Sequence, residues 1–213
     1  MNIIARMLCW ASAGLLAACA VVSPDGGLGD AASIAEVEAR KAALLDSAHQ
    51  AVLGNPRGDV TVVEFFDYNC GYCRVAAAQL TALVDEDKGL RIVLKEWPVF
   101  GAASTDAARV SIAARIQDGG PRFRSFHEAL FRNGRRATKA TALEAAEAAG
   151  YDVAALESRL DSDEVEATLR EAGDLAKGLG LRGTPTFVVG TEVIHGEIGR
   201  ESLRAAIARA RAG

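Results

Sequence analysis

Apolar and polar residues are spaced as in helices and strands along most of this 213-residue chain. Residues 60–66 are almost wholly apolar, which predicts a buried strand. The residues that follow predict a helix with one packed face, because apolar side chains recur at one-turn spacing, at 73, 76, 77, 80, 83 and 84. Residues 90–97 predict a second strand, which Pro98 ends.

The middle of the chain has helical spacing throughout. We predict helices over 104–117, around Phe123, Phe126 and Leu130, from a capping box at Thr141 and Glu144, over 152–160 and over 165–179. The next two runs, 184–189 and 192–195, predict a β-hairpin turning at Gly190-Thr191. A helix over 201–211 closes the chain, with Leu203 and Ile207 facing inward.

Ahead of the first strand, we predict one more helix over 33–53, in which Ser33 and Glu36 form a capping box. The order of elements predicts an α/β fold. We divide the chain into a targeting segment at 1–20, a linker and helix at 21–53, and a domain at 54–213 with a helical insertion at about 100–180.

Composition narrows the function classes. The net charge is −4 and the pI is about 5.5, so nothing in the overall charge indicates nucleic-acid binding. The basic cluster Arg132, Arg135, Arg136 and Lys139 is interpreted as a solvated loop around Asn133-Gly134. His127 shares the apolar face of its helix, which favours a packed, hydrogen-bonded histidine over a catalytic one.

The first twenty residues are typical of a secretory signal. Arg6 precedes an apolar stretch, 7–18, that is too short to span a bilayer comfortably. Residues 16–19, Leu-Ala-Ala-Cys, resemble a bacterial lipobox in which Cys19 is lipidated, and ordinary cleavage after Ala20 is the alternative. Either interpretation predicts export to the periplasm, with a lipid anchor at Cys19 in the first case, and an oxidising compartment suits disulfide chemistry.

The pair Cys70 and Cys73 is the strongest chemical signal. Cys70 is placed where a strand turns into a helix, and free backbone N–H groups of a first helical turn favour an anion there. The thiolate is the form that attacks disulfides. The helix dipole contributes about 0.3–1 kcal/mol and at most ~2, or about one pKa unit, so a larger shift requires direct hydrogen bonds to sulfur. We predict Cys70 as the nucleophile and Cys73 as the resolving thiol.

The same cysteine spacing also occurs in metal sites. Zinc needs about four ligands, and the other cysteines, Cys9 and Cys19, are far away in the N-terminal segment, while the three histidines have no paired spacing. No metal site is therefore predicted. The rival class is a periplasmic copper-binding protein, because two thiolates suit Cu(I), which accepts fewer ligands.

Two motifs carry a resemblance to a known family. Residues 65–73, Phe-Phe-Asp-Tyr-Asn-Cys-Gly-Tyr-Cys, followed far downstream by 183–187, Gly-Thr-Pro-Thr-Phe, closely resemble the DsbA family of exported thiol–disulfide oxidoreductases, and its ScsC-like branch most. The resemblance covers about residue 54 to the C-terminus and implies a thioredoxin fold with a helical insertion. The chain departs from the best-known members in the residues between its cysteines and before its proline.

The resemblance implies roles for further residues. Pro185 corresponds to the family's cis-proline, and we expect Gly71, Tyr72, Thr184 and Pro185 to contact client proteins. A trans proline at the start of a strand is the alternative. Glu64 matches a family glutamate; its place in an apolar strand predicts a raised pKa and a proton shuttle for Cys73, or else a carboxylate at the sheet's rim. Lys95 is its predicted partner.

The predicted function is exchange of disulfides with client proteins, as an oxidase or an isomerase. No dissociable cofactor is needed, and a membrane redox partner would reset the cysteines. The predicted N-terminal helix has two alternatives. It either gathers several copies into a homo-oligomer, as in ScsC-like relatives, or is a spacer that lies on its own domain or holds that domain off a membrane.

Overall fold

The structure is a computed structural model that describes residues 33–47 and 50–213. Cys19, the predicted signal segment and the predicted linker lie outside these residues. In the described part of the chain, no helix combines the length and the apolar character that crossing a bilayer requires.

A five-stranded sheet forms the centre of the molecule. Its strands are β1 (Ala51–Gly54), β2 (Val60–Phe66), β3 (Leu90–Glu96), β4 (Thr186–Val189) and β5 (Glu192–His195). Their order across the sheet is β1-β3-β2-β4-β5, with β2 and β3 parallel and all other pairs antiparallel. The central pair, β2 and β3, is buried on both faces, as its near-continuous apolar sequence predicts.

Nine helices of the described residues surround this sheet. They are α1 (Ile34–Ala39), α2 (Lys41–Leu45), α3 (Gly71–Glu86), α4 (Ala102–Asp118), α5 (Phe123–Arg132), α6 (Lys139–Ala148), α7 (Val153–Glu157), α8 (Asp163–Gly178) and α9 (Arg200–Ala212). The predicted inward face of α3 is buried at all six positions, and Leu203 and Ile207 of α9 are buried as well.

The two faces of the sheet bury different layers. Side chains of β2 alternate between them, so Val62 and Phe66 join the larger core with α3, α9 and the helices between β3 and β4. Val63 and Phe65 face the smaller core, which α1, α2 and the C-terminal end of α8 cover. Cys70 therefore lies on the side of the larger core, at the end of β2.

The predicted single helix over 33–53 is wrong beyond its first turns. Ser33 does form the predicted capping box with Glu36. However, the helix is interrupted at Arg40, α2 ends at Leu45, and residues 51–54 are strand β1 paired with the edge of β3. The sheet therefore begins three residues before the predicted domain boundary at 54. Pairing with an open strand edge has overridden a weak helical pattern there.

Two predicted helix starts are also wrong. The N-cap of α6 is Thr138, whose hydroxyl accepts a hydrogen bond from the Thr141 N–H, so the helix begins three residues before the predicted capping box. Glu144 instead pairs with Arg135. The N-cap of α4 is Gly101, and Ser104 is buried inside the first turn, where its hydroxyl accepts from the Asn69 side chain.

Candidate active site

Cys70 is the N-cap of α3, at the point where β2 has ended. Its backbone is extended and its sulfur accepts a hydrogen bond from the Cys73 N–H, with the two atoms 3.3 Å apart. The two cysteines are not joined by a disulfide. Cys70 is 4% exposed, and the following residues Gly71 and Tyr72 are exposed to solvent. The turn thus holds the Cys70 sulfur just beneath the surface, next to two exposed residues.

Hydrogen bonds make the two thiols chemically different. The Cys73 thiol donates to the Cys70 sulfur and, with smaller contributions from the N–H groups of Cys73 and Tyr72, lowers the pKa of Cys70 to about 6 in spite of its burial. Burial raises the pKa of Cys73 far above its ordinary value, and its hydrogen bond to Cys70 raises it further. Near pH 7 Cys70 is a thiolate and Cys73 is a thiol.

The Thr184–Pro185 peptide bond is cis, as its motif predicts. The Cys70 sulfur lies 3.2 Å from the Thr184 carbonyl oxygen, to which the protonated thiol can donate. Pro185 is buried, and β4 begins at the residue after it. Two segments separated by more than a hundred residues therefore meet at one sulfur.

Glu64 is 1% exposed, and neither of its carboxyl oxygens has a hydrogen-bond partner among the described residues. Burial, followed by the negative charge of Cys70, raises its pKa to about 8. Its charge in turn raises the pKa of Cys73. Glu64 is consequently a buried group that titrates near neutrality and is electrostatically coupled to both cysteines. It does not reach the rim of the sheet.

The predicted pairing of Glu64 with Lys95 is wrong. In the parallel register of β2 and β3, Glu64 lies opposite Leu94 while Lys95 lies opposite Phe65, so the two side chains occupy opposite faces. The Lys95 ammonium donates to the Ala43 carbonyl at 2.8 Å and to the Glu171 carboxylate at 3.1 Å. Lys95 thus joins α2 and α8 to the sheet, away from the cysteines.

His127 is packed and hydrogen-bonded, as predicted. Its Nδ1 lies 3.0 Å from the Tyr68 hydroxyl, which also lies 2.9 Å from the Ser111 hydroxyl. Ser111 donates to the buried carboxylate of Glu96 at 2.8 Å. Burial lowers the pKa of His127 to about 3, so its ring is neutral at pH 7. This chain of polar groups lies among aromatic rings behind the cysteine turn.

Sequence reasoning missed two side chains that shape the cysteine turn. The Asp67 carboxylate accepts from the Asn69 N–H at 2.7 Å and from the N–H groups of Val99 and Phe100 at 2.7 and 3.0 Å. The Asn69 amide forms a two-bond clamp with the backbone of Ala137. The available signal was an Asp and an Asn between strand and helix, where such side chains bind nearby backbone.

The described residues hold no group of three or more His, Cys, Asp or Glu side chains arranged to bind a metal ion. The two cysteines therefore offer a metal ion two sulfur ligands, and the described residues place no third His, Cys, Asp or Glu ligand beside them. The site's distinctive property is the difference in acidity between two adjacent sulfurs, which is the property that disulfide exchange uses.

The family described as DSBA-like thioredoxin domain matches residues 61–208, which include the cysteine pair and the cis-proline. The chain belongs to this family. The predicted resemblance and the predicted thioredoxin fold are thereby confirmed.

Similar solved structures superpose on most of the chain. A thioredoxin-like oxidoreductase from Silicibacter pomeroyi DSS-3 is 41% identical, with a TM-score of 0.77 over 81% of this chain and 98% of that one. The catalytic domain of Proteus mirabilis ScsC is 22% identical, with a TM-score of 0.77 over 84% and 99% of the chains, and at this identity shows the fold alone. A periplasmic thioredoxin-like protein from Salmonella enterica serovar Typhimurium is 26% identical, with a TM-score of 0.73 over 81% and 96%.

Two curated relatives are named as Na⁺/H⁺ antiporters. Na⁺/H⁺ antiporter NhaA 1 of Salinispora arenicola is 28% identical over 169 residues, which make up 79% of this chain and 26% of the antiporter. The chain spans about a quarter of the length of the curated relatives it matches.

Proposed function

We propose that this protein is an exported thiol–disulfide oxidoreductase that exchanges disulfides with client proteins through Cys70 and Cys73. The observation that carries the proposal is the placement of two adjacent thiols, with Cys70 at the N-terminus of α3 beside the Thr184 carbonyl and Cys73 buried one turn inside the helix. Hydrogen bonds to its sulfur lower the pKa of Cys70 to about 6, whereas burial raises the pKa of Cys73. A low pKa makes a sulfur a good leaving group as well as an attacking thiolate at neutral pH. Membership of the DSBA-like family supports the same chemistry.

The exchange proceeds in two steps that conserve electrons. When the pair is reduced, the Cys70 thiolate attacks a client disulfide, and one client sulfur leaves as thiolate. Cys73 then loses its proton and attacks Cys70 in the mixed disulfide, which releases the second client thiolate and leaves a Cys70–Cys73 disulfide. Two electrons have passed to the client. In the opposite direction a client dithiol is oxidised and the pair is reduced.

Glu64 is the proposed proton acceptor for Cys73 in the second step. It is buried, lacks a hydrogen-bond partner among the described residues, and has a pKa of about 8. In the mixed disulfide Cys70 carries no charge, so the interaction that helps to raise the Glu64 pKa is absent. The carboxylate form is then more populated at the step that needs a base.

Exposed apolar side chains lie around the cysteine turn and suit an unfolded client. Tyr72 is 68% exposed, and Phe100 is 53% exposed on the loop that Asp67 holds. Thr184 and Pro185 border the sulfur on the other side and are the proposed contacts for the client backbone. These groups, with Gly71, form the proposed client-binding residues.

The location and partners are proposals too. Residues 1–20 favour export, with Cys19 as the proposed lipid attachment point, and a structural neighbour is named as periplasmic. An enzyme that repeats the cycle needs a redox partner to reset its cysteines, and we propose that this partner is a membrane protein. An oxidase is returned to the disulfide form, whereas an isomerase is kept reduced.

The test is a trapping experiment with scrambled ribonuclease A as client. Cys73→Ser should accumulate a mixed disulfide through Cys70, because the resolving thiol is missing. Cys70→Ser should trap at least tenfold less, since the remaining thiol is buried and its pKa is raised. Non-reducing gels measure both. Equal trapping by the two variants would refute these roles.

The copper alternative uses the same two sulfurs and is measured in parallel. Competitive Cu(I) titration of the wild-type protein tests whether it binds one equivalent. Stoichiometric copper binding together with no trapped client would favour the metal-binding function. The redox equilibrium of the pair against glutathione then separates the oxidase from the isomerase.

A further inference from the structure

A basic loop is fixed beside the reactive cysteine by the residue that precedes it. The Asn69 side chain donates to the Ala137 carbonyl and accepts from the Ala137 N–H, both at 2.9 Å, and also donates to the Ser104 hydroxyl at 2.9 Å. Asn69 is bonded covalently to Cys70. The loop that ends at Ala137 is consequently held against the cysteine turn, within roughly 10–15 Å of the sulfur by chain geometry.

This loop carries an unusual concentration of positive charge. Residues 132–139 include four basic and no acidic side chains, in a chain whose net charge is −4. Arg74, which follows Cys73 on α3, is exposed on the same side of the site. We call these five side chains the basic rim: Arg74, Arg132, Arg135, Arg136 and Lys139. All five are exposed.

The charge of the basic rim is only partly neutralised. Arg132, Arg135 and Lys139 pair with glutamates that are themselves solvent-exposed or half-buried, and such surface pairs contribute little. Arg74 and Arg136 form no ion pair with any residue that the structure describes. Two arginines beside the active-site turn are thus available to an external carboxylate.

A groove of about 370 Å³ lies between α3 and α5 on this side of the site. Ala77, Ala78 and Phe131 supply apolar lining, and Arg74 and Arg132 also border it. The carboxylate of Glu128 lines the groove as well, and it is paired with Arg124 and Arg132. A groove with apolar walls and arginines at its border fits an extended polypeptide that carries an apolar side chain next to acidic ones.

We propose that the basic rim selects client segments with acidic residues flanking the reacting cysteine. The proposal rests on the proposed function and adds a substrate class to it. The Asn69 clamp fixes the rim relative to Cys70, so a client whose sulfur is at Cys70 places its flanking residues within reach of Arg74 and Arg136. Charge complementarity would then raise the rate at which acidic clients form the mixed disulfide.

The test compares three peptides of about ten residues. Each contains one intramolecular disulfide and differs only in its flanking residues, which are Glu, Gln or Lys. The rate constant for reduction by the reduced protein is divided by the rate constant with dithiothreitol, which removes intrinsic differences between the peptides. We expect the Glu peptide to react about fivefold faster than the Gln peptide, and the Lys peptide to react slower than either. About 0.5 M salt should largely remove these differences.

The variant Arg136→Glu tests whether the basic rim causes the preference, since Arg136 contacts neither cysteine. It should abolish or reverse the preference for the Glu peptide. Arg57→Glu is the control, because Arg57 is also exposed and unpaired among the described residues but lies at the opposite end of β2. It makes the same change in net charge and should leave the ratio of rates unchanged.

Three results would overturn the proposal. Equal normalised rates for all peptides would show no charge selection, while the disulfide exchange itself would stand. An equal loss of preference in Arg136→Glu and Arg57→Glu would assign the effect to overall charge. Failure of every peptide to react would contradict the proposed function itself.

Discussion

At the residue scale, the chemistry of the site follows from where each acidic group lies. Cys70 is at a helix N-terminus, where N–H groups and a second thiol stabilise its anion, whereas Cys73 is fully buried one turn later. Glu64 is buried without a hydrogen-bond partner among the described residues. The charges of Glu64 and Cys70 repel each other. Near pH 7 the favoured state therefore has one negative charge, on Cys70, and a protonated Glu64.

Glu64→Gln should slow the release of trapped clients, because the glutamine side chain cannot accept the Cys73 proton. General-base catalysis typically contributes 10²–10⁴-fold, so we expect the resolution rate to fall by about a hundredfold. The pKa of Cys70 should change little, since Glu64 is already protonated at pH 6. Stopped-flow measurement of resolution and titration of thiolate absorbance test both statements.

Glu96→Gln is the matched control for the effect of Glu64→Gln on resolution. Glu96 is also a buried glutamate, at the end of the neighbouring strand, and it accepts a hydrogen bond from Ser111. The Glu96→Gln variant should leave the resolution rate unchanged. If Glu64→Gln also resolved at the wild-type rate, the role of Glu64 would be structural.

Glu64→Gln should also change how the stability of the protein depends on pH. The pKa of Glu64 is about 8 when folded against 4.5 as the ordinary value, so between these pH values the unfolded chain loses a proton that the folded protein retains. The contribution of Glu64 to wild-type stability therefore falls by a few kcal/mol as pH rises through this window, while the lowered pKa of Cys70 acts in the opposite direction above pH 6 in both proteins. Glu64→Gln lacks this loss, and urea unfolding should show its advantage over wild type growing from pH 5 to pH 8. Parallel pH profiles would contradict the raised pKa.

At the element scale, the segment before β1 is part of the domain's own packing. Val37 and Leu44 are each 2% exposed and lie in the smaller core with Val63, Phe65 and Leu175. Lys95 and Arg91 also hold the last carbonyls of α2, those of Ala43 and Leu45. The apolar side chains of this segment thus pack against their own domain.

Leu44→Ala should lower the free energy of unfolding by about 3 kcal/mol, the middle of the range for a buried leucine truncated to alanine. Ile34→Ala is the control from the same segment, because Ile34 is 66% exposed and its truncation should cost less than about 0.5 kcal/mol. Urea unfolding of both variants measures the difference. Equal effects would mean that α1 and α2 do not pack as described.

Sequence patterns predicted the elements that have long, strong periodicity. Apolar spacing together with turn and proline signals predicted the strands β2 and β3, the helix α3 with its buried face, the hairpin of β4 and β5, and the closing helix. Strand β1 was missed because four residues are too few for a period to show, and because its partner strand lies about forty residues away. Its extended conformation depends on tertiary pairing.

The candidate site was predictable to the same degree. The cysteines have a local signature in the strand-to-helix turn, and the cis state of Pro185 followed from the resemblance of residues 183–187 to the family motif. The partner of Lys95 depends on the register between β2 and β3, and the Asn69 clamp depends on where a distant loop returns to the turn. Neither the partner of Lys95 nor the Asn69 clamp leaves a pattern in the nearby sequence. Because the clamp could not be foreseen, the basic cluster was interpreted only as a solvated loop.

At the scale of the whole molecule, the sheet separates a reactive side from a supporting side. The larger core carries Cys70, Cys73 and Glu64 with the helices between β3 and β4. The smaller core carries α1, α2 and the end of α8. A change in the N-terminal segment should consequently alter stability before it alters the chemistry of the cysteines.

The same arrangement bears on the proposed homo-oligomer. A coiled-coil arm needs an apolar stripe sustained over several heptads, and isolated helices below about 12–15 residues are marginal in water. Here α1 has 6 residues and α2 has 5, and their buried side chains already contact their own domain. These observations favour the alternative in which the segment lies on its own domain.

Light scattering on residues 21–213 should therefore give the mass of one chain at tens of micromolar, and Leu44→Ala should leave that mass unchanged while lowering stability. If α1 and α2 formed an interface between copies, the wild-type mass would be a multiple of one chain, and the substitution would reduce it. A multiple mass that depends on Leu44 would show that this segment joins copies. Clustered cysteine pairs facing one client would then favour isomerisation over simple oxidation.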